Sequence, residues 1–303
     1  MEKDIKYLFK VIDKCNMCGN DDKDNRTLGR RLNRSQGFNP RKKTGISVSV
    51  KKCSKCGLIY PNPMPVPNSL EDHYGVPPEQ YWSKDYLTIS PDYYQGELRI
   101  LESIKPLNEI QKALDIGAGV GKCMIALTNK GIDCYGIEPS KPFYDRAISK
   151  MNIDPKKIKN VSIEDCDFEE GSFDYVTFGA VLEHLYDPYN SLEKALKWLK
   201  KGGVLSMEVP NSDWTVAKIL NSVYRLQGLD YVANISPMHE PFHIYEFTKK
   251  SFETIESKLN VEIVFFENWL GDPLLPGPMG SLVKRYMKLK KTGMQISVWF
   301  RKK

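Results

Sequence analysis

A glycine-rich turn between an apolar strand and a helical segment is the feature that most limits what this chain can fold into. The turn, residues 117–121 (GAGVG), follows the short strand predicted over residues 113–116, which is apolar except for Asp115, and precedes the helical spacing of residues 122–129. Residues 135–137 form a second strand that ends in Glu138. This order is typical of a Rossmann-like α/β sheet, in which the terminal carboxylate binds a ribose diol. We therefore expect a cofactor that contains a nucleoside.

The charge beside the turn indicates which nucleoside cofactor fits. Asp115 stands at the strand end, two residues before Gly117, close to where a dinucleotide would bring its pyrophosphate. A carboxylate there repels that anion. S-adenosylmethionine (SAM) has no phosphate and carries a sulfonium and an ammonium group, and the G-x-G-x-G spacing is one residue tighter than the dinucleotide fingerprint. The turn therefore favours SAM.

Segments further along the chain continue the alternation of strands and helices. The predicted elements are strand 175–178, a helix that begins near Pro188 and is closed by residues 200–203, strand 204–209, a helix capped by Thr248, strand 261–266, a basic helix over 279–291 and strand 296–300. The last two strands are expected to form a terminal antiparallel pair.

These segments resemble the class I SAM-dependent methyltransferase superfamily in order and spacing over residues 95–303. The resemblance is carried by LDIGAGVG, the strand-end Glu138, GSFDYVTFGAVLEHLYDP, LKKGGVLSMEVPN and HIYEFTKKSFE. The start of the chain, with CGLIYPNPMP followed by Tyr74 and Tyr81, resembles the bacterial branch that includes sugar and other small-molecule methyltransferases. The resemblance implies a seven-stranded Rossmann-like sheet of the α/β class. It also implies SAM-dependent methyl transfer to a small-molecule acceptor, and it favours a sugar or nucleotide-sugar.

The same resemblance implies the residues that bind the cofactor. Asp115, Gly117, Ala118 and Gly119 would lie along its methionine and ribose portions, and Glu138 would take the ribose hydroxyls. Ser162 and Ile163 would lie at the adenine. Ser162 stands where an acidic residue is common in the family, so Asp165 is an alternative adenine contact. Gly179 and Ala180 would approach the methyl-donor region, although packing at a helix start is an equal alternative for Ala180.

Three histidines, His184, His239 and His243, are candidates for the catalytic base or substrate anchor, because a neutral imidazole accepts protons near pH 7. His184 follows the fourth strand, at the carboxyl edge where open α/β sheets bind ligands. Its alternative role is to orient that loop. His239 and His243 lie in a segment that reaches over the acceptor pocket in the resembled enzymes. The alternative is that His239 and His243 are polar loop residues that only close the lid.

Two further features of the sequence are candidates for the wall of the acceptor pocket. The insertion after the fifth strand, within residues 212–247, is predicted to be a substrate lid because long ordered insertions at this edge usually shape a pocket. An aromatic cluster before the sheet is predicted to line cofactor or sugar, or simply to pack there. It comprises Tyr74, Tyr81, Trp82, Tyr86, Tyr93 and Tyr94. Cys123, Cys134 and Cys166 have no partner spacing and are expected to be incidental buried thiols.

Four of the seven cysteines form two C-x-x-C-G units, Cys15/Cys18 and Cys53/Cys56. Each unit is a zinc knuckle in outline: two thiolates on a tight turn bind one ion, and the following glycine permits the turn. Two such units complete a tetrahedral S4 site. The spacing therefore predicts a structural zinc ion in a ribbon that ends in a proline-rich linker, with residues 1–70 as one module and residues 71–303 as the methyltransferase domain.

The distribution of charge leaves one rival function open. The net charge of +6 divides into +9 over residues 1–60 (15 Lys/Arg against 6 Asp/Glu), −11 over residues 61–280 (21 against 32) and +8 over residues 281–303 (8 against 0). Residues 20–44 are polar and basic and are predicted to form a mobile excursion. A basic arm could bind RNA, so an RNA methyltransferase is an alternative, although no amino-methylation signature follows the fourth strand and nucleic acid is less favoured.

The remaining observations concern class and compartment. With 303 residues, 41% of them hydrophobic, the chain can bury a sizeable core, and no apolar run is long enough to cross a bilayer. The first ten residues lack the pattern of a secretory signal, so we expect a cytoplasmic protein. A zinc-ribbon adaptor with an inactive methyltransferase domain is the second alternative.

Overall fold

The amino-terminal module consists of five short strands. In the computed structural model, which describes residues 6–32, 46–68, 86–239, 241–271 and 277–303, they are β1 (Tyr7–Lys10), β2 (Arg26–Leu32), β3 (Ser47–Lys52), β4 (Ile59–Asn62) and β5 (Met64–Pro67). Strands β2, β3 and β4 form an antiparallel sheet in that order, and β1 pairs with β5. The valines of β3, Val48 and Val50, alternate with polar residues and are buried.

Strand β2 corrects the prediction that residues 20–44 form a mobile excursion. The segment Arg26–Leu32 pairs with β3, and its register shift falls at Gly29. A Cβ atom at Gly29 would lie 2.4 Å from the carbonyl oxygen of Asp230. The glycine therefore lets β2 press against a distant segment, a tertiary contact that the basic composition of the stretch did not reveal. Residues 33–44 of the stretch lie outside the described residues.

A seven-stranded sheet forms the second part of the fold. Its strands in chain order are β6 (Lys112–Ile116), β7 (Asp133–Ile137), β8 (Ile158–Lys159), β9 (Phe173–Gly179), β10 (Leu199–Pro210), β11 (Val261–Trp269) and β12 (Gln295–Lys302). Across the sheet the order is β11-β12-β10-β9-β6-β7-β8. Strands β6 to β10 are parallel, and β11 and β12 are antiparallel additions at one edge. The predicted seven-stranded Rossmann-like sheet and its terminal antiparallel pair are confirmed.

Helices cover both faces of this sheet. They are α1 (Gln95–Ile104), α2 (Lys122–Thr128), α3 (Lys141–Ser149), α4 (Pro188–Trp198), α5 (Thr215–Leu226), α6 (Lys249–Lys258) and α7 (Gly277–Lys290). Buried side chains of α1, α2 and α3 pack on one face. Those of α4 and α6 pack on the other face, together with Met17, Leu58 and Tyr60 of the amino-terminal module. The module and the sheet therefore share one hydrophobic cluster.

Local sequence explains where two of the helices begin and end. Asp187 caps α4 by accepting a hydrogen bond from the backbone N–H of Asn190, and Pro188 occupies the first helical turn. The helix ends at Trp198, so the prediction that residues 200–203 close it is wrong: they lie in β10, whose pairing with β9 shifts register between Leu199 and Val204. Thr248 caps α6 as predicted, and Ser251 completes a capping box. Within the described part of the chain, no helix has the length and apolar character to span a bilayer.

Candidate functional site

The glycine-rich turn forms an open cradle at the carboxyl end of β6. Gly117, Gly119 and Gly121 all have positive φ angles, between 55° and 83°, which side chains rarely tolerate. A Cβ atom on Gly117 would lie 2.4 Å from Cγ2 of Val181, whereas a Cβ atom on Gly119 would meet nothing within 4 Å. Gly117 is therefore required by packing, and Gly119 borders free space that a ligand can occupy.

Glu138 holds this cradle in shape from the end of β7. One carboxylate oxygen accepts a hydrogen bond from the N–H of Gly119 (2.8 Å) and the other from the N–H of Ser140 (2.7 Å). A carboxylate has about four lone-pair sites, so two remain for further donors such as the hydroxyls of a ribose. The residue predicted to bind ribose thus lies beside the predicted cradle.

Four carboxyl groups collect at this edge of the sheet. They are Asp115 on β6, Glu138 after β7, Glu183 after β9 and Glu208 on β10. Burial raises the pKa of Asp115, Glu138 and Glu208 to about 7 and that of Glu183 to about 8. Among the described residues, none of the four forms an ion pair with lysine or arginine. A cation fits this donor set, and a phosphate does not.

The other predicted cofactor residues lie along the same edge. Gly179 and Ala180 end β9, and a Cβ atom on Gly179 would meet nothing within 4 Å. Ala180 has a φ of 55°, a conformation that costs a non-glycine residue about 1–2 kcal/mol. Ser162 donates a hydrogen bond to the carboxylate of Asp165 (2.9 Å), so the serine and the alternative adenine contact are already joined. Ile163 is buried.

Two of the predicted histidines meet at a buried glutamate. The rings of His184 and His243 lie edge to face with centroids 4.9 Å apart, and Nε2 of His243 is 3.8 Å from Oε1 of Glu183. Glu183 is 1% exposed. Burial lowers the pKa of His184 to about 4 and that of His243 to about 3, so both imidazoles are neutral near pH 7. The ligand atoms of these three residues lie within 4.8 Å of one another, a set that can hold a proton or a divalent cation.

Backbone hydrogen bonds fix the segment that carries His243 over this site. The N–H groups of Ile244 and Tyr245 both donate to the carbonyl of Glu183, at 3.0 and 3.3 Å. Nδ1 of His184 lies 3.3 Å from the carbonyl oxygen of Phe242. His239 lies four residues before His243, and its ring is not part of the three-residue cluster. Its predicted role as base or anchor remains a prediction.

The described tyrosines of the aromatic cluster flank the start of α2. Nζ of Lys122 lies 4.5 Å from the ring centroid of Tyr86 and 5.9 Å from that of Tyr93, and Tyr93 stacks on Tyr94. Tyr94 is tied to the sheet because its hydroxyl lies 2.8 Å from that of Tyr175. Packing therefore accounts for Tyr94, while Tyr86 and Tyr93 border the cradle. Tyr74, Tyr81 and Trp82 lie outside the described residues.

Sequence reasoning missed Glu183 and Glu208 as site residues. Neither residue belongs to a recognisable motif: Glu183 precedes His184, and Glu208 lies within the predicted strand 204–209. The signal that could have found Glu208 is its place near the carboxyl end of a predicted parallel strand, where it pairs with Gly179.

The four cysteines of the two C-x-x-C-G units converge in the amino-terminal module. Sγ of Cys15 lies 3.6 Å from that of Cys56, and Sγ of Cys18 lies 3.4 Å from that of Cys53. All four sulfurs lie within 4.8 Å of one another, and all are buried. Hydrogen bonding with Cys15 and Cys56 lowers the pKa of the Cys53 thiol. Sulfurs bound tetrahedrally to zinc at about 2.3 Å require spacings of this size, so the set fits a zinc ion.

The knuckles dock on the sheet domain through α6. The carbonyl oxygen of Cys56 accepts hydrogen bonds from the hydroxyls of Thr248 (2.6 Å) and Ser251 (3.1 Å), and that of Cys18 accepts one from Lys258 (3.1 Å). Gly57 has a φ of 78°, and a Cβ atom there would lie 2.7 Å from Thr248. Both ends of α6 therefore hold the knuckles, and the segment that carries His243 runs directly into it.

Comparison with known proteins finds similarity in the sheet domain. Residues 114–207 match the family described as "Methyltransferase domain". Among curated relatives, phosphoethanolamine N-methyltransferase 2 of Caenorhabditis elegans is 27% identical over 158 residues, which cover 49% of this chain and 36% of the relative. A ubiquinone biosynthesis O-methyltransferase of Methylococcus capsulatus is 29% identical over 148 residues, covering 44% and 60%. These matches span less than two thirds of each relative's length.

A solved SAM-dependent methyltransferase from Archaeoglobus fulgidus is similar over 74% of this chain and 97% of that protein, with 13% identity and a TM-score of 0.46. The family match over residues 114–207 and the relatives agree with the predicted methyltransferase domain.

Proposed function

We propose that this chain transfers a methyl group from SAM to a small-molecule acceptor, with His243 as the base and Glu183 as its positioning residue. The observation that carries the proposal is the set of buried carboxyls beside the open glycine cradle, because it suits a cationic cofactor. Asp115 would face the charged methionine portion, and Glu138 would accept hydrogen bonds from the ribose hydroxyls.

The chemistry divides between cofactor and protein. SAM, when bound, would supply a methyl group on a sulfonium, and the neutral thioether S-adenosylhomocysteine would be the leaving group. The protein aligns the acceptor and removes its proton. Nε2 of His243 would take that proton, since the neutral imidazole has a free acceptor site at neutral pH. The carboxylate of Glu183, 3.8 Å away, would stabilise the imidazolium that forms.

A sugar or nucleotide-sugar is the acceptor that we propose, with oxygen as the methylated atom. Support comes from the zinc-knuckle start and the CGLIYPNPMP segment, which resemble a branch with sugar methyltransferases. The relatives named as an O-methyltransferase and as a phosphoethanolamine N-methyltransferase also act, by name, on small molecules. A hydroxyl acceptor requires a base, which the histidine cluster offers. The insertion over residues 212–247 would close over the acceptor.

The four-cysteine cluster is proposed to bind one structural zinc ion. Its sulfur spacing and burial suit a closed S4 site, which leaves no position for a substrate. The ion would therefore stabilise the module and its docking on α6. It would take no part in methyl transfer.

The cofactor site can be tested with Glu138→Gln. We expect this variant to bind S-adenosylhomocysteine about 10–100-fold more weakly by calorimetry, because glutamine has one acceptor oxygen and no charge, and a hydrogen bond to a charged group contributes about 1.5–3 kcal/mol. The matched control is Asp133→Asn at the opposite end of β7, where the carboxylate is exposed and pairs with Lys157. The control should bind normally.

The affinity for SAM, measured by the same calorimetric titration, should depend on pH. Asp115 and Glu138, with pKa values near 7, are partly protonated below pH 7 in the free protein, and a cation favours their ionised forms. SAM affinity should therefore rise with pH between about 5.5 and 7, up to tenfold per unit for each proton released. Glu138→Gln should release fewer protons. Unchanged affinity in the variant, with no proton release in the wild type, would contradict the proposed site.

The RNA alternative depends on a free basic arm, and two of its arginines are engaged. The guanidinium of Arg31 is buried and donates to the hydroxyl of Tyr231 and the carbonyl of Val232, and Arg30 pairs with Asp230 at 3.4 Å. We expect weak binding to bulk RNA, with a shallow salt dependence, in filter-binding assays. A steep decrease of tight binding with salt would favour the RNA function instead.

A further inference from the structure

Helix α7 exposes an apolar stripe to solvent. It packs on the protein through Gly280 and Met287, which are buried. Leu282, Tyr286 and Leu289 follow one another at spacings of four and three residues, so they lie on one face, and that face points away from the packed side. They are 68%, 49% and 74% exposed. Single exposed leucines are common on proteins, but an aligned row of large apolar side chains marks an interaction surface.

Positive charge flanks this stripe on both sides. On the helical projection, Arg285 and Lys288 lie along one side of it and Lys290 along the other. No acidic residue occurs in α7 or in the chain after it: residues 277–303 contain eight Lys/Arg and no Asp/Glu. The surface is therefore apolar along its centre, and its polar margins are cationic.

The stripe has a neighbour with the same character. Helix α5 carries exposed apolar residues at the same spacing, Ile219, Val223 and Leu226, and it too contains basic residues but no acidic ones. The start of α5 meets the end of α7, because the hydroxyls of Thr215 and Thr292 lie 2.6 Å apart. The two helices that carry exposed apolar faces thus meet at the start of α5 and the end of α7.

This region lies at the same edge of the sheet as the site. Asn211, which directly follows β10, donates a hydrogen bond to the carbonyl of Gly293 (2.9 Å), between α7 and β12. Pro210 at the end of β10 pairs with Gln295 at the start of β12. The end of α7 is therefore tied to the carboxyl edge where the cradle and Glu208 lie.

We propose that α7, with α5 beside it, docks this protein on the surface of an anionic lipid bilayer. A helix with leucine and an aromatic residue on one face and lysine and arginine at its margins lies in the interface of such a membrane, where the apolar side chains enter the acyl boundary and the cations meet lipid phosphates. The charge complementarity identifies the partner, since the helix offers cations alone.

Two other occupants fit this surface less well. A second copy of the chain would bury the leucines, but it would bring like charges together because neither helix has an acidic residue to pair with them. RNA would engage the cations, but the centre of the face consists of leucines, which neither pair with phosphate nor stack on bases.

The proposal is tested by co-sedimentation of the full chain with vesicles. The protein should bind vesicles of phosphatidylcholine with phosphatidylglycerol and release at high salt, and it should bind pure phosphatidylcholine weakly. The double variant Leu282→Glu/Leu289→Glu should reduce the partition coefficient at least about tenfold, because two apolar anchors become anions. Both leucines are exposed, so the fold should tolerate the change.

Leu8→Glu is the matched control, because Leu8 of β1 is 66% exposed but lies in the amino-terminal module. It should bind vesicles as the wild type does. Equal binding of wild type and double variant would overturn the proposal. So would a dimer in light scattering that the double variant abolishes without any vesicle binding, or RNA binding that both proteins share while neither binds vesicles.

Discussion

Replacing Cys53 with serine should release the zinc ion and destabilise the whole chain. Three remaining thiolates cannot complete the S4 site, and a structural zinc ion contributes about 10–16 kcal/mol of apparent binding free energy in zinc-finger peptides. The amino-terminal module shares a hydrophobic cluster with the sheet, so unfolding of the module should also destabilise the sheet domain. We expect zinc content by mass spectrometry to fall from about one ion per chain to near zero. The melting temperature should fall by about 10 °C or more.

Cys166→Ser is the matched control for this experiment. Cys166 is also a buried cysteine, but it lies in the sheet domain, away from the four-cysteine cluster. It should keep its zinc and lose little stability. If Cys53→Ser retained a full complement of zinc, or if the wild type contained none, the assignment of the cluster as a zinc site would be wrong.

The second large effect is expected at His243. Removing a general base lowers kcat by about 10²–10⁴-fold, so His243→Ala should show a loss in this range once the acceptor is known. Its affinity for S-adenosylhomocysteine should be unchanged, because the imidazole lies beside Glu183 and His184, whereas the proposed cofactor contacts are Asp115, Glu138 and the glycine cradle. Methyl transfer from radiolabelled SAM measures the first quantity and calorimetry the second.

Glu183→Gln separates a positioning role from a structural one. Burial raises the pKa of Glu183 to about 8, and the carboxylate stabilises the imidazolium only when it is ionised. In the wild type, kcat should therefore increase as the pH rises to about 8, with a lower midpoint if bound SAM favours the anion. In Glu183→Gln this rise should disappear.

If His243→Ala kept most of its activity while His239→Ala lost it, the base would be His239, the other residue predicted for that loop.

Local patterns in the sequence were enough to predict most of the sheet and the cofactor cradle. The glycine turn, the strand that ends before Glu138 and the four cysteines are each defined by a short motif, and the structure has all three where the motif lies. Strand β2 and the end of α4 were missed for a common reason. The positions of both depend on pairing with segments elsewhere in the chain, and the local spacing of apolar residues does not reveal such pairing.

The candidate site was less accessible to sequence reasoning because its key group is defined by burial. Glu183 is one of 38 acidic residues, and nothing in its neighbours distinguishes it. Only the folded chain brings the segment with His243, some sixty residues later, over its side chain. The role proposed for this carboxyl group depends on desolvation and a specific partner, and both are tertiary properties.

The docking of the knuckles on α6 also has a consequence for the timing of synthesis. The hydrogen-bond donor to the carbonyl of Cys56 is Thr248, which is synthesised 192 residues later. The donor to the carbonyl of Cys18 is Lys258, which is synthesised 240 residues later. At about 5–20 residues per second, translation takes about 10–40 s to cover the shorter of these separations. During that interval α6, whose Phe252 and Ile255 belong to the same hydrophobic cluster as Met17, Leu58 and Tyr60, has not yet been synthesised. A metal ion captured early on the ribosome would keep the nascent module folded until its partners emerge.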